Sequence, residues 1–413
     1  MKLTKNAQAT LLLTSYFSKP LKGAAKPLTI TEWGRFAHWL YNKKHQPADL
    51  LGEEQQGILS RWQDVKATSA RISELLARGH SLALAVDKWQ RSGLWILTRA
   101  DEEYPKRLKQ KLRNDAPPVL FGCGNKELLN SGGIAVVGSR NVGDEDLRFT
   151  EGLGQKAAAS GIGIVSGGAR GVDEASMLSA IGAGGNVIGI MADSLLRAAT
   201  SAKWRNGLMQ GNTVLISPFY PEAGFNAGNA MSRNKYIYTL SDAAVVVHSG
   251  TKGGTWNGAR ENIKKQWVPL WIKPTNDTEA GNKILVSEGA QWCSGNLDEL
   301  QLESLFNQIA DVSPQDDMFS LNESIASSSS SSEALTQEEP IPATQTNQFS
   351  IDFYSLFIQN MQVFAVEPVH ITDITSGLDL HKSQVTDWLK RAMAEGHIIK
   401  LSNPVRFQWS KGS

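Results

Sequence analysis

Between residues 133 and 272 short apolar runs alternate with stretches of helical character, and no other feature narrows the fold so far. The runs are 134–137, 162–165, 187–191, 213–217, 243–247 and 267–272, rich in Val and Ile. They are apolar at nearly every position rather than at alternate ones, which is the pattern of strands covered on both faces. The segments between them are long enough for crossover helices: 147–160 and 173–183 both read as helices. The expected fold class is α/β, a Rossmann-like parallel sheet domain with an N-terminal helical domain and a C-terminal winged helix.

In open parallel sheets ligands gather beyond the carboxyl ends of the strands, so the turns at those ends carry the functional argument. The first is Gly138-Ser139-Arg140. The second is Ser166-Gly167-Gly168-Ala169-Arg170-Gly171-Val172-Asp173. The third is Gly250-Thr251-Lys252-Gly253-Gly254-Thr255, with Glu261 beyond it. Glycine lets backbone approach a ligand closely, a helix N-terminus favours phosphate, and arginine adds a planar fork for the same anion. Met231 to Ile237 adds Arg233, Asn234 and Lys235, read as a basic turn before the helix that leads into the fifth strand. The phosphate-binding set expected from these turns is Ser139, Arg140, Ser166, Gly167, Gly168, Arg170, Gly171, Arg233, Asn234, Lys235, Gly253, Gly254 and Thr255. A plainer reading gives the glycines to packing, Asp173 to capping the next helix and the basic turn to solvent. Phe219, Tyr220, Phe225 and Tyr236 offer faces on which bases stack, although core packing accounts for any one of them equally well.

Several chemistries lack their residues. The turns complete neither the dinucleotide G-x-G-x-x-G nor the P-loop pattern. There is no C-x-x-C, H-E-x-x-H or G-x-S-x-G, and none of the seven histidines falls inside a glycine turn. Glu261 with Asp173 is the only acid–base pair that can be constructed. No catalytic residue, metal or cofactor is therefore expected. Two cysteines, Cys123 and Cys293, make no disulfide framework and fit a reducing, cytoplasmic setting. The chain has no apolar run of about 18 residues, so no membrane span is expected, and the N-terminal stretch lacks a signal-peptide cleavage site.

Net charge is +1, but it is unevenly distributed. Residues 1–115 carry 20 Lys and Arg against 11 Asp and Glu, and 311–348 carry none against 7. A basic N-terminal part can face a polyanion or simply be a solvated surface. Residues 1–92 read as a helical domain of sterile-alpha-motif or helix-hairpin-helix type, with Trp33, Phe36, Ala37 and Leu40 on one helical face. Residues 93–310 form the sheet domain, in which the Pro117-Pro118 pair predicts an extended lead-in. Residues 311–347, acidic with an unbroken serine run, read as a disordered linker. Residues 348–413 read as three helices and a hairpin, the order of a winged helix, with Lys382, Thr386, Lys390 and Arg391 on the polar side of its third helix. A unit of zero net charge favours duplex binding no more than protein docking.

Tyr104-Pro105, Pro117-Pro118, Gly138-Ser139-Arg140, SGGARGVD, Arg233-Asn234-Lys235 and Gly253-Gly254, in that order, resemble the DNA-processing protein A (DprA, also Smf) family. The resemblance runs from about Trp95 to Ile272. It implies a non-enzymatic protein that binds single-stranded DNA in the Rossmann crevice, forms a homodimer and passes the strand to a RecA-type recombinase during recombination or natural transformation. Two departures are visible. Ser176 stands where the family pattern has histidine, and 253–261 resembles the glycine turn of nucleotide phosphoribohydrolases. These leave open a nucleotide-binding sensor or phosphoribohydrolase-like enzyme, and a regulatory or antitoxin-like partner in a defence module.

Overall fold

The computed structural model describes residues 3–20, 23–306, 353–378, 382–402 and 405–410. The chain opens with five helices: α1 (Lys5–Thr14), α2 (Ile30–Asn42), α3 (Gln55–Leu59), α4 (Ser69–Leu76) and α5 (Gly79–Arg91). Threonines start three of them. Thr4, Thr29 and Thr68 accept hydrogen bonds from the backbone N–H groups of Ala7, Glu32 and Arg71, and Glu32 returns the bond to complete a capping box on α2. Phe36 and Leu40 fill the buried face of α2, and Trp62 meets Phe36 edge-on at 5.0 Å. This core is continuous with one face of the sheet.

The sheet domain contains β1 (Trp95–Thr98), α6 (Lys106–Leu112), β2 (Val119–Gly124), β3 (Ile134–Val137), α7 (Asp144–Ala159), β4 (Ile164–Ser166) and α8 (Val172–Gly182). It continues with β5 (Val187–Ile190), α9 (Leu195–Thr200), α10 (Ala202–Gln210), β6 (Thr213–Ser217), α11 (Ala227–Leu240) and β7 (Ala243–Val246). Then follow α12 (Gly254–Lys265), β8 (Leu270–Ile272), α13 (Asn282–Ser287) and β9 (Gln291–Trp292). The nine strands lie in the order β1-β2-β6-β5-β4-β3-β7-β8-β9. From β6 to β9 all neighbours are parallel, and β2 pairs antiparallel with both β6 and β1.

All six apolar runs become neighbouring parallel strands. Their side chains alternate between two cores. Ile134, Val136, Ile164 and Val187 join α7, α8 and the helical domain, while Ala135, Val137, Val165 and Ile188 join α6, α11 and α12. Each buried Val or Ile contributes about 1.5–3 kcal/mol on this accounting, so covering both faces holds the sheet rigid beneath its loops. The expected extended lead-in is a strand: Pro117 and Pro118 end just before Val119, leaving the N–H groups of β2 free to pair.

The C-terminal unit consists of α14 (Phe353–Phe364), α15 (Ile371–Gly377), α16 (Lys382–Ala394) and the antiparallel pair β10 (Ile398–Leu401) and β11 (Arg406–Trp409). That is the element order of a winged helix. Phe357, Met361, Ile374, Val385, Trp388, Leu389 and Phe407 share its core. The 311–347 segment expected to be a linker lies outside the described residues. Among the described residues, no helix is long and apolar enough to cross a membrane.

A candidate nucleic-acid interface at the switch point of the sheet

From β3 the chain builds outward through β4, β5 and β6 on one side, then returns to lay β7 on the other. The loops leaving β3 and β7 diverge, and the crevice between them is where the sheet's topology places a ligand. Gly138, Ser139 and Arg140 form one wall, and Gly250 to Thr255 the other, with Asn234 and Met231 of α11 closing the side. The walls are tied together. Ser139 N–H donates to His248 O at 2.9 Å, Thr255 Oγ1 to Gly138 O at 2.9 Å, and Asn234 Nδ2 to Gly254 O at 3.0 Å. The crevice encloses about 420 Å³.

SGGARGVD does something other than the sequence suggests. Asp173, in the first turn of α8, is buried, and its carboxylate faces the backbone N–H groups of Gly138, Ala169 and Gly167. Burial pushes its pKa up to about 6, and the charge of Arg233 and those three N–H groups restrain the rise. Arg233 is buried too, donating through Nη1 to Ile190 O at 2.5 Å. Burial pulls the guanidinium's pKa down while Asp173 works against the fall. Ser166 is fully buried and donates to Val136 O at 2.6 Å. The loop thus turns N–H groups inward onto a carboxylate instead of outward onto a phosphate. Ser166, Gly167 and Arg233, expected to contact a phosphate, are all buried: Ser166 and Arg233 Nη1 donate to backbone carbonyls, and of the three Arg233 lines the crevice, from its floor, with Nε unpartnered among the described residues.

The outward-facing donors come from the third turn. Gly253 caps α12 with φ of 101°, makes no side-chain cap, and no acidic residue occupies the first turn of α12. That conformation is open to glycine at little cost, and it leaves N–H groups of a 12-residue helix facing the crevice with the positive end of the dipole. By contrast, the first turn of α8 carries Asp173 and Glu174. Lys252 is exposed on the lip, and exposed Arg140 sits 5.2 Å from the ring of Phe225, itself 60% exposed.

The remaining expected residues separate. Ser139, Arg140, Asn234, Gly253, Gly254 and Thr255 line the crevice. Arg170 and Gly171 line a neighbouring cleft, where Arg170 Nη2 donates to Asn141 Oδ1 at 2.8 Å. Gly168 packs under Met191, and Lys235 lies beside Tyr236 at 5.3 Å; neither lines the crevice. The segment 231–237 is inside α11 rather than ahead of it, since Asn226 caps that helix by accepting from Gly228 and Asn229. Asn226 was the readable signal for that start. Glu261 does not line the crevice, so the conceivable pair with Asp173 is not assembled there. Lys252, set among glycines, could have been read as a ligand. Tyr238 and its buried hydroxyl, which like Arg233 Nε has no partner among the described residues, carried no signal.

The model of the family described as DNA recombination-mediator protein A matches residues 95–303. The chain is similar to DNA processing protein DprA of Bacillus subtilis (strain 168), 28% identical over 218 residues, which are 51% of this chain and 72% of that one. It is similar to protein Smf of Escherichia coli (strain K12), 28% identical over 55% of this chain and 58% of that one. The X-ray structure of DprA from Streptococcus pneumoniae has the same fold with a TM-score of 0.56 and 22% identity, over 73% of this chain and 99% of that one. Together with the switch-point crevice, the match over half the sequence places this chain in the DNA recombination-mediator protein A family.

Proposed function

We propose that the chain holds single-stranded DNA across the crevice between β3 and β7. Phosphates rest on Arg140, Lys252 and the N–H groups at the start of α12, and a base stacks on Phe225. One observation carries the reading. A guanidinium 5.2 Å from an exposed aromatic ring, beside an uncapped helix N-terminus, puts phosphate-binding and stacking groups within one nucleotide's reach. A duplex hides its base faces, whereas a single strand presents them. Ser139, Asn234, Gly254 and Thr255 complete the walls, and Arg170 lies just outside, beyond Arg140. The family's description as a recombination mediator supports the further reading that a homodimer in the cytoplasm passes the strand to a RecA-type recombinase.

The test is anisotropy of a labelled single-stranded oligonucleotide in the presence of excess unlabelled competitor. Unlabelled single strand should displace the probe and an equal mass of duplex should leave it bound. Equal displacement by both would refute the single-strand reading.

A further inference from the structure

The crevice does not end at Phe225, and we propose that the DNA strand continues past it into the cleft between the helical domain and the sheet domain. This rests on the crevice reading above. The second cleft, about 960 Å³, shares Phe225 with the crevice. From the helical domain Tyr16, Lys19 and Lys26 face it, and from the sheet domain Phe219 and Tyr220. The rings of Tyr16 and Tyr220 meet across the domain boundary at 5.9 Å, tilted by 58°. Aromatic faces interleaved with cations are what a single strand needs beyond its first phosphates.

The charges give the track a direction. Arg71 in the cleft wall is already committed to Glu32, at 3.1 and 3.2 Å, and that pair is neutral. Lys19 and Lys26 are exposed and make no ion pair among the described residues. On the opposite side of Arg140 the neighbouring cleft sets Arg140 and Arg170 against Glu145, Asp146, Glu151, Glu174 and Asp277. Of those carboxylates Glu145 and Asp146 are paired with Lys273, Glu174 with Lys203 and Asp277 with His248, so that side offers a polyanion no surplus of positive charge, whereas the side of Phe225 does. Residues 1–92 carry 14 Lys and Arg against 7 Asp and Glu, and this surplus thereby acquires a use: the helical domain supplies the second half of the binding surface.

The experiment compares oligothymidylates of about 5 and about 15 nucleotides, spanning the usual range of such sites, on the full chain and its Lys19→Glu, Lys26→Glu double variant. Both lysines are exposed, so the fold is retained. The variant should bind the long strand at least tenfold more weakly and the short strand within twofold of the parent. Its salt slope for the long strand should fall by about 1.4, two cations at about 0.7 each. Unchanged binding of the long strand, or equal weakening of both lengths, would overturn the track. Failure of the crevice reading looks different: Arg140→Ala would then leave the short strand's affinity untouched.

Discussion

Arg233 and Asp173 face each other across the backbone of Gly167. A β-carbon on that glycine would lie 1.7 Å from Arg233 Nη1 and 2.6 Å from Asp173 Oδ2. One charge comes from α11 and the other from α8, and the glycine-rich loop lies between them. The crevice floor is therefore an electrostatic joint, and the exposed Arg140 and Lys252 stand at the crevice walls above it.

Gly167→Ala should damage the fold more than the binding surface. The neighbours of the added carbon are two anchored charged groups, so the overpacking cost should reach or exceed about 3 kcal/mol. Urea denaturation checks this; an unshifted midpoint would show that the joint is looser than described.

Arg233→Met should also be a stability variant. It leaves a buried carboxylate without its opposing charge, at a cost of about 3–5 kcal/mol. Pairing it with Asp173→Asn should recover part of the loss, because no uncompensated charge remains. A double-mutant cycle with additive losses would contradict the coupling.

The joint also predicts a pH dependence. In the unfolded chain Asp173 loses its proton near 3.8, while in the folded chain it keeps it to about 6. Between those values the folded state binds more protons, so this residue's contribution to stability falls as pH rises and then levels off above about 6. Relative to Asp173→Asn, the parent should lose of the order of 3 kcal/mol across that window. Denaturation midpoints of the two proteins from pH 4 to 7 provide the test, and parallel profiles would count against it.

The parallel sheet was legible because its strands are buried on both faces and so are apolar throughout. The 134–137 and 243–247 runs needed no tertiary information to be read. The antiparallel edge, β1 and β2, was only half legible: the prolines at 117 and 118 suggested extension, but pairing with β6 is set by a distant partner. The site divided in the same way. Glycine and arginine types located the crevice loops, whereas the direction each group faces is a tertiary fact. Asp173 after Gly171 could cap its helix or gather the N–H groups of neighbouring loops, and only the packing of α8 against β3 decides. Arg233 reads as a surface cation until α11 is placed over the sheet. Lys252 and Gly253 emerged as the outward donors because α12 starts there without a cap or an acidic first turn.

Both cysteines should resist alkylation in the folded state. Cys123 and Cys293 are buried, and burial pushes each thiol up to about 12. Reaction with a thiol reagent at pH 8 should wait for denaturant. Prompt modification of either cysteine in native buffer would show that its surroundings open.

The division between an exposed binding layer and a buried brace is tested most directly by the salt dependence of single-strand binding in the Arg140→Ala, Lys252→Ala variant. Each cation contributes about 0.7 to the slope of log affinity against log salt. The variant should bind at least tenfold more weakly than the parent at moderate salt, with a slope smaller by about 1.4, and should unfold at the parent's denaturant midpoint. Parental affinity and slope in the variant would contradict the account.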